Sequence, residues 1–272
     1  MILLADGGAT STTWCAEGRR LVTAGMNPQA TTAAELAACA QAARAWLGKP
    51  PTEIVFYGAG CGNVAGSQRV RDALAAQFPG SRIAVETDLL GACRASCGSG
   101  TGRVGILGTG SNACYYNGIE PVTPAPSLGY LLGDEGGGNY IGKRLLKDYF
   151  RKEMPAEVRR RFQKAYNMDY AAVMECIYRH ANPSAFLGGF ATFAVSHMSI
   201  PYVRAVCRES FEDYLDTQVR AVRHVRTPLH LVGGLAHAMA PVAREVCAER
   251  RIPLGNILRD PMDGLETYHK IS

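Results

Sequence analysis

The chain has 272 residues, 47% of them hydrophobic and only 19% charged, a balance that excludes a disordered chain and allows one large domain or two ordinary ones. A net charge of +5 is small for this length and argues against nucleic acid as a partner, which needs a concentrated basic stripe. The one dense basic run, Arg159-Arg160-Arg161 with Lys164 a turn further on, reads as a solvated helix face. No apolar run reaches the roughly 18 residues of a membrane span, so no membrane is expected. Nine Cys are scattered without a C-x-x-C pair. That odd count, with no signal peptide, points to a reducing cytoplasm rather than a disulfide scaffold or a zinc ribbon.

In chain order, Ile2–Ala5 reads as a short buried strand, and Thr12–Ala16 with Arg20–Ala24 as a hairpin around Glu17-Gly18. A helix is expected over about Ala33–Leu47, opened by a T-x-x-E capping box at Thr32 and Glu35, with Leu36, Ala40, Ala43 and Leu47 on one face. Strand Glu53–Tyr57 ends at Gly58. A helix near Gln68–Phe78, a strand at Arg82–Glu86 and a helix starting at Thr87-Asp88 follow. The second half restarts with Val104–Leu107, Ala113–Asn117 and Ile119–Val122 as a three-strand meander. Helices fill about 139–226, broken at Pro155, Pro183 and Pro201. Strand Leu229–Val232, a helix from about Ala236 to Arg250, a short strand Gly255–Leu258 and a closing helix Pro261–Tyr268 complete the chain. The pattern of strand, hairpin, then alternating helix and strand occurs twice. It implies a duplicated α/β architecture with a cleft between the copies, where ligands commonly bind.

Three Gly-rich segments carry the functional signal. Asp6-Gly7-Gly8-Ala9-Thr10 and Leu107-Gly108-Thr109-Gly110-Ser111-Asn112 each follow an apolar strand. The third, Gly129-Tyr130-Leu131-Leu132-Gly133-Asp134-Glu135-Gly136-Gly137-Gly138, sets two carboxylates among five Gly. Gly weakens helices and strands, so such runs make sense where backbone passes close to a ligand. Together they point to a site for phosphates and a polyhydroxylated substrate. Asp88 reads from the residues alone as a helix cap, and Asn27, before Pro28, as a turn residue. Cys61, in Gly58-Ala59-Gly60-Cys61-Gly62, reads as a packed residue rather than a nucleophile.

These motifs resemble the sugar-kinase, heat-shock-protein-70 and actin superfamily, and within it the BadF/BadG/BcrA/BcrD ATPase family and its N-acetylglucosamine kinase-like branch. The resemblance covers nearly the whole chain. It rests on Asp6-Gly7-Gly8-Ala9-Thr10-Ser11-Thr12 and Gly108-Thr109-Gly110-Ser111-Asn112 as phosphate motifs, Leu231-Val232-Gly233-Gly234-Leu235-Ala236 as the adenosine motif, and Leu132-Gly133-Asp134-Glu135-Gly136 as the sugar signature. It implies duplicated ribonuclease H-like, actin-like domains at 1–102 and 103–272. The second carries the helical insertion, and the closing helix, about 260–272, packs back on the first. It implies ATP-dependent transfer of the γ-phosphate to an amino sugar such as N-acetylglucosamine, with Asp88 as general base. The helix dipole would favour that residue's ionised form. ATP phosphates and adenosine fall to Gly7, Gly8, Thr10, Thr12, Gly108, Thr109, Gly110, Gly233 and Gly234. The sugar falls to Asn27, Ser111, Asn112, Asp134 and Gly138, and Mg²⁺ to Asp6, through water. A homodimer follows by analogy. The sequence departs from the family pattern at Ser11, where a basic residue is usual, at Leu128, where Trp is frequent, and at Gly137, where Ser is frequent.

Two other readings stand beside it. One is an ATPase that activates 2-hydroxyacyl-CoA dehydratases, which calls for a Gly-Gly-Gln-Asp segment and cluster-binding Cys that this sequence does not show. The other is a non-catalytic sugar or nucleotide sensor, which the co-occurrence of Asp6, Asp88 and Asp134 disfavours.

Overall fold

The computed structural model describes residues 1–123, 126–166, 169–179, 182–222 and 226–270. Residues 167–168, 180–181 and 223–225 of the expected helical stretch, and 271–272 of the expected closing segment, lie outside the described residues. The chain divides into two compact units, one of Met1–Thr101, Tyr116–Pro121 and Asp260–Ser272, the other of Gly102–Tyr115 and Val122–Arg259.

The first unit is built from β1 (Ile2–Gly7), β2 (Ser11–Ala16), β3 (Arg19–Ala24), α1 (Ala33–Leu47), β4 (Glu53–Gly58), α2 (Val64–Gln77), β5 (Arg82–Thr87) and α3 (Asp88–Cys97), closed by the chain's last helix, α13 (Met262–Tyr268). Its sheet runs β3-β2-β1-β4-β5. The β1–β4 and β4–β5 pairs are parallel, and their register lines up Gly7, Gly58 and Thr87 in one row at the strands' C-terminal ends. The capping box at the start of α1 forms: Glu35 N–H donates to Thr32 Oγ1 at 3.3 Å and Thr32 N–H to Glu35 Oε2 at 2.8 Å. The four expected face residues and Cys39 of α1 are buried in a core with Trp14, Phe56 and Phe78. Helix α2 starts earlier than its apolar residues indicate, because Asn63 caps it by accepting Gly66 N–H at 2.8 Å.

Helix α13 belongs to the first unit. Arg20 donates to Glu266 at 2.7 Å and pairs with Asp263. The Tyr57 hydroxyl sits 2.8 Å from both Arg94 Nη1 and His269 Nε2. A Cβ on Gly264 would lie 2.3 Å from the Ala95 carbonyl oxygen, so only Gly lets α13 approach α3 this closely.

The second sheet contains β6 (Gly102–Leu107), β7 (Ser111–Tyr116), β8 (Pro121–Val122), β9 (Leu229–Val232) and β10 (Leu254–Leu258), in the order β10-β9-β6-β7-β8. Counting from each copy's first strand, that is the topology of the first sheet again. Between β8 and β9 come α4 (Gly129–Leu132), α5 (Gly138–Phe150), α6 (Ala156–Ala165), α7 (Tyr170–Arg179), α8 (Pro183–Gly189), α9 (Ala191–Ser196) and α10 (Pro201–Tyr214), which runs on into a π-helical turn, Leu215–Val219. Two expectations need correction. The third meander strand is only two residues long, because the Asn117 side chain accepts the N–H groups of Ile119 and Glu120 and folds that stretch into a turn. The helix expected over Ala236–Arg250 is two, α11 (Gly234–Ala238) and α12 (Ala240–Glu249), since Pro241 has no N–H to continue the ladder and sits in a first turn instead.

The approach at Gly264 gives a stability test. Gly264→Ala should lose about 2 kcal/mol in urea unfolding from overpacking against α3. Gly189→Ala, which ends α8 with open space at its Cβ position, should change stability by less than about 0.5 kcal/mol.

Candidate functional site

In the first unit, the parallel register carries the chemistry to one edge. Asp6 immediately precedes the row of Gly7, Gly58 and Thr87, and Asp88 immediately follows it. Gly7 is required there: a Cβ would lie 2.4 Å from the Phe56 ring. The β1–β2 turn is closed by Gly8 N–H donating to the Ser11 carbonyl at 2.8 Å, leaving Thr10 and Ser11 exposed at its tip. Thr12 departs from its expected role. It is fully buried, and its partner across the hairpin is Gly7, whose own missing side chain would face Phe56. Cross-strand partners share a face, so the Thr12 hydroxyl points to the core, where its Oγ1 finds no partner among the described residues.

Thr87, not Asp88, caps α3, accepting Leu90 N–H at 3.1 Å. Asp88 is the first helical residue, and its Oδ1 accepts Leu89 N–H at 2.8 Å. Burial nevertheless holds its carboxyl above the usual aspartate range, against that backbone hydrogen bond. The helix start favours the ionised form and burial opposes it. Asp6 is raised to about 7, first by burial, then by the charges of Asp88 and Asp260. Asp260, just before α13, accepts Met262 N–H at 3.0 Å and joins the carboxylate group without any sequence motif to announce it. Cys61 is buried beside Asp88, its thiol pushed up to about 12, which suits a packed residue and not a nucleophile. Asn27 forms a turn: its Oδ1 accepts Gln29 N–H at 2.9 Å, and Gly60 leaves no room for a Cβ against it.

In the second unit, the β6–β7 turn and the acidic loop stack backbone on backbone. A Cβ on Gly110 would lie 2.7 Å from Asp134 Oδ2, and one on Gly137 would lie 2.8 Å from the Gly110 carbonyl carbon. Gly138 N–H donates to the Gly108 carbonyl and Asn139 N–H to the Thr109 carbonyl, each at 2.8 Å. Gly138, expected to touch the sugar, is thus buried with its amide committed to the turn. Asp134 is 7% exposed and has φ 60°, a left-handed conformation that Asp tolerates better than most residues. Its carboxylate accepts Asn139 Nδ2–H at 2.6 Å and Ser111 N–H at 3.3 Å. The Ser111 hydroxyl donates to the Glu135 carbonyl at 2.6 Å. Asn112 and Asp134 line one pocket with Glu135, Leu128, Thr217 and Gln218. Tyr214 threads between Gly105 and Gly136, which lack the Cβ that would block it, and donates to the Asn112 carbonyl at 3.0 Å. Lys143 bonds the Tyr130 carbonyl; burial lowers its pKa while the charges of Asp134 and Glu135 oppose that shift.

Gly233, at φ 127°, has no room for a side chain, because a Cβ would lie 2.3 Å from the Leu107 carbonyl oxygen. Gly234 next to it is exposed and open. Asn139, Gln218, Tyr214, Lys143 and Asp260 escaped the sequence reading. Only Asn139 left a trace, as the polar residue ending a run of three Gly.

Among solved structures, the chain is similar to a putative N-acetylglucosamine kinase from Porphyromonas gingivalis, with TM-score 0.90 and 36% identity over 99% of this chain and 98% of the other. A putative N-acetylglucosamine kinase from Chromobacterium violaceum follows at TM-score 0.72 and 21% identity, covering 98% of each chain. A ROK family glucokinase from Streptomyces griseus, in complex with glucose and AMPPNP, has TM-score 0.53 and 15% identity over 99% of each chain. The last two show the fold, a duplicated ribonuclease H-like α/β architecture. No family model matches the chain, and no curated protein matches it.

The Asp6 environment predicts a pH signature. A folded-state pKa of about 7 against the ordinary aspartate value of 3.8 means the native state holds a proton that the unfolded chain has released. Stability from this group therefore falls as pH rises between those values. Without added divalent cation, Asp6→Asn should gain stability relative to the parent as pH rises from about 4 to about 7 in urea titrations. A difference that stays flat with pH contradicts the assignment.

Proposed function

This chain belongs to the family of its Porphyromonas gingivalis relative, and from that premise we propose that it is an ATP-dependent sugar kinase acting on an amino sugar, N-acetylglucosamine before others. The proposal includes its placement in the BadF/BadG/BcrA/BcrD group. The observation that carries it is the pairing of Asp6 and Asp88 at the strand edge that ends in the Gly7-Gly8 turn. A phosphoryl-transfer enzyme needs positioning and charge compensation more than covalent chemistry, and those residue types supply both.

In this reading Gly7, Gly8, Thr10, Gly108, Thr109 and Gly110 hold the phosphates, and Gly233-Gly234 lets the backbone lie close to adenosine. Asn27, Asn112 and Asp134 take the sugar. Asp134 is suited to it: a carboxylate offers about four lone-pair sites, and Asn139 and Ser111 fix its orientation while leaving others free. Asp88 accepts the proton of the sugar hydroxyl as its oxygen bonds to the γ-phosphorus; the bond from that phosphorus to the bridging oxygen breaks, and ADP leaves.

Among the described residues no three acidic, His or Cys side chains gather into a metal cage, so Mg²⁺ would be held as that ion commonly is, through one or two carboxylates, water and phosphate oxygens. Asp6, with Asp260 beside it, would hold the ion, which supplies positive charge to the phosphates when bound. Because burial raises Asp88, its deprotonation falls above the ordinary aspartate range, so kcat/KM for the sugar should rise with pH past that range.

A coupled ADP-release assay over a panel of hexoses and amino sugars tests the proposal. The expected result is release that depends on N-acetylglucosamine or a close amino sugar and stops when EDTA removes Mg²⁺. Release indifferent to sugar, or none with any sugar, rejects it.

A further inference from the structure

One polar side chain in the second unit ties together elements that the proposed chemistry needs, and no motif contains it. Gln218 lies in the π-helical turn Leu215–Val219, half-buried on the wall of the pocket that holds Asn112, Asp134 and Glu135. Its Nε2 lies 2.7 Å from Ser111 Oγ and 3.1 Å from Glu135 Oε2, and donates to both. The amide carries two N–H bonds, so both contacts can be made at once. The Ser111 hydroxyl spends its single proton on the Glu135 carbonyl and is left to accept from Gln218. Side chain, turn and acidic loop thus form one closed set of hydrogen bonds.

The backbone at this point is unusual. π-helical turns are rare and often mark functional sites, because the wider turn gives up regular hydrogen bonding to re-aim side chains. Here it follows Tyr214, which donates to the Asn112 carbonyl, while Gln218 reaches Ser111, the residue before it in β7. The helix end therefore braces two successive residues of the strand that follows the Gly108–Gly110 turn. Thr217, also on the pocket wall, returns its hydroxyl to the Asp213 carbonyl at 2.7 Å and leaves Gln218 as the donor aimed at the acidic loop.

We propose that Gln218 is a positioning residue for sugar binding, holding the Glu135 carboxylate and the Ser111 hydroxyl in the arrangement that a polyhydroxylated substrate meets. The proposal rests on the sugar-kinase reading. It places the effect of Gln218 on sugar affinity rather than on the nucleotide or the chemical step.

The test uses the full chain with Gln218→Met, Gln218→Ala and Gln218→Glu in the sugar-dependent ADP-release assay, with thermal melts alongside. Met keeps the side-chain volume and removes both donors. Met and Ala should each raise the KM for sugar roughly tenfold, the effect of losing a hydrogen bond to a charged group. KM for ATP should stay within about twofold, kcat within about threefold and Tm within about 2 °C of the parent. Glu sets a second carboxylate against Glu135, so its KM at pH 7.5 should exceed that of Ala. An unchanged sugar KM in Met and Ala overturns the proposal. So does a fall in all parameters that tracks a loss of Tm, which would make Gln218 a purely structural tie. If the parent itself shows no sugar-dependent release, the kinase reading fails and this inference fails with it.

Discussion

The parallel register of β1, β4 and β5 is the constraint from which the first unit's chemistry follows. Parallel strands end at a common edge, and here that edge is the row Gly7, Gly58 and Thr87. Asp6 and Asp88 flank the row because each is one residue from it in sequence. A one-residue slip of β1 would send the Asp6 side chain to the opposite face of the sheet. Gly7 holds the register tight against Phe56, and α13 seals the other side through Gly264 and the Tyr57 hydrogen bonds. The same closeness sets the electrostatics. Burial raises the Asp88 carboxyl even though the residue opens a helix and accepts Leu89 N–H. Packing carboxylates together without a cation strains their charge, and a divalent ion, if bound there as proposed, would relieve it.

The second unit solves a different problem, bringing two loops into backbone contact. Gly110 and Gly137 are required by distance: side chains there would overlap Asp134 or the opposing main chain. The first amides of α5 are consumed by the Gly108 and Thr109 carbonyls, so this helix start stiffens the turn instead of binding an anion. What remains directed at the pocket is Asp134, oriented by Asn139 and Ser111, with Tyr214 and Gln218 bracing from the far end of α10. Rigid support of this kind lets a carboxylate discriminate among hydroxyl arrangements, because the geometry is set before the substrate arrives.

Much of the fold is legible in local signals. Apolar runs ending in Gly mark β1, β4 and β6, the Thr32–Glu35 box marks the start of α1, and the repeated order of elements announces the duplicated sheet. The failures are equally physical. Ile119 belongs to an apolar stretch, but the Asn117 side chain captures its amide first. Pro241 cuts a helix that the apolar period carries through. Thr12 reads as a phosphate contact until strand alternation turns it into the core. Asn139, Gln218 and Asp260 act through partners distant in sequence or on other elements, and no spacing rule links Gln218 to Ser111 across 107 positions.

The central claim is that Asp88, carried to the strand edge by the register of β5, removes the proton from the attacking hydroxyl. Substituting Asp88→Asn keeps its size and its place in α3 and takes away the base. Titration calorimetry with a non-hydrolysable ATP analogue, run beside steady-state turnover, separates binding from chemistry. The account predicts analogue affinity within about threefold of the parent and sugar-dependent turnover lower by about 10²–10⁴. Turnover equal to the parent's, at unchanged affinity, would contradict it.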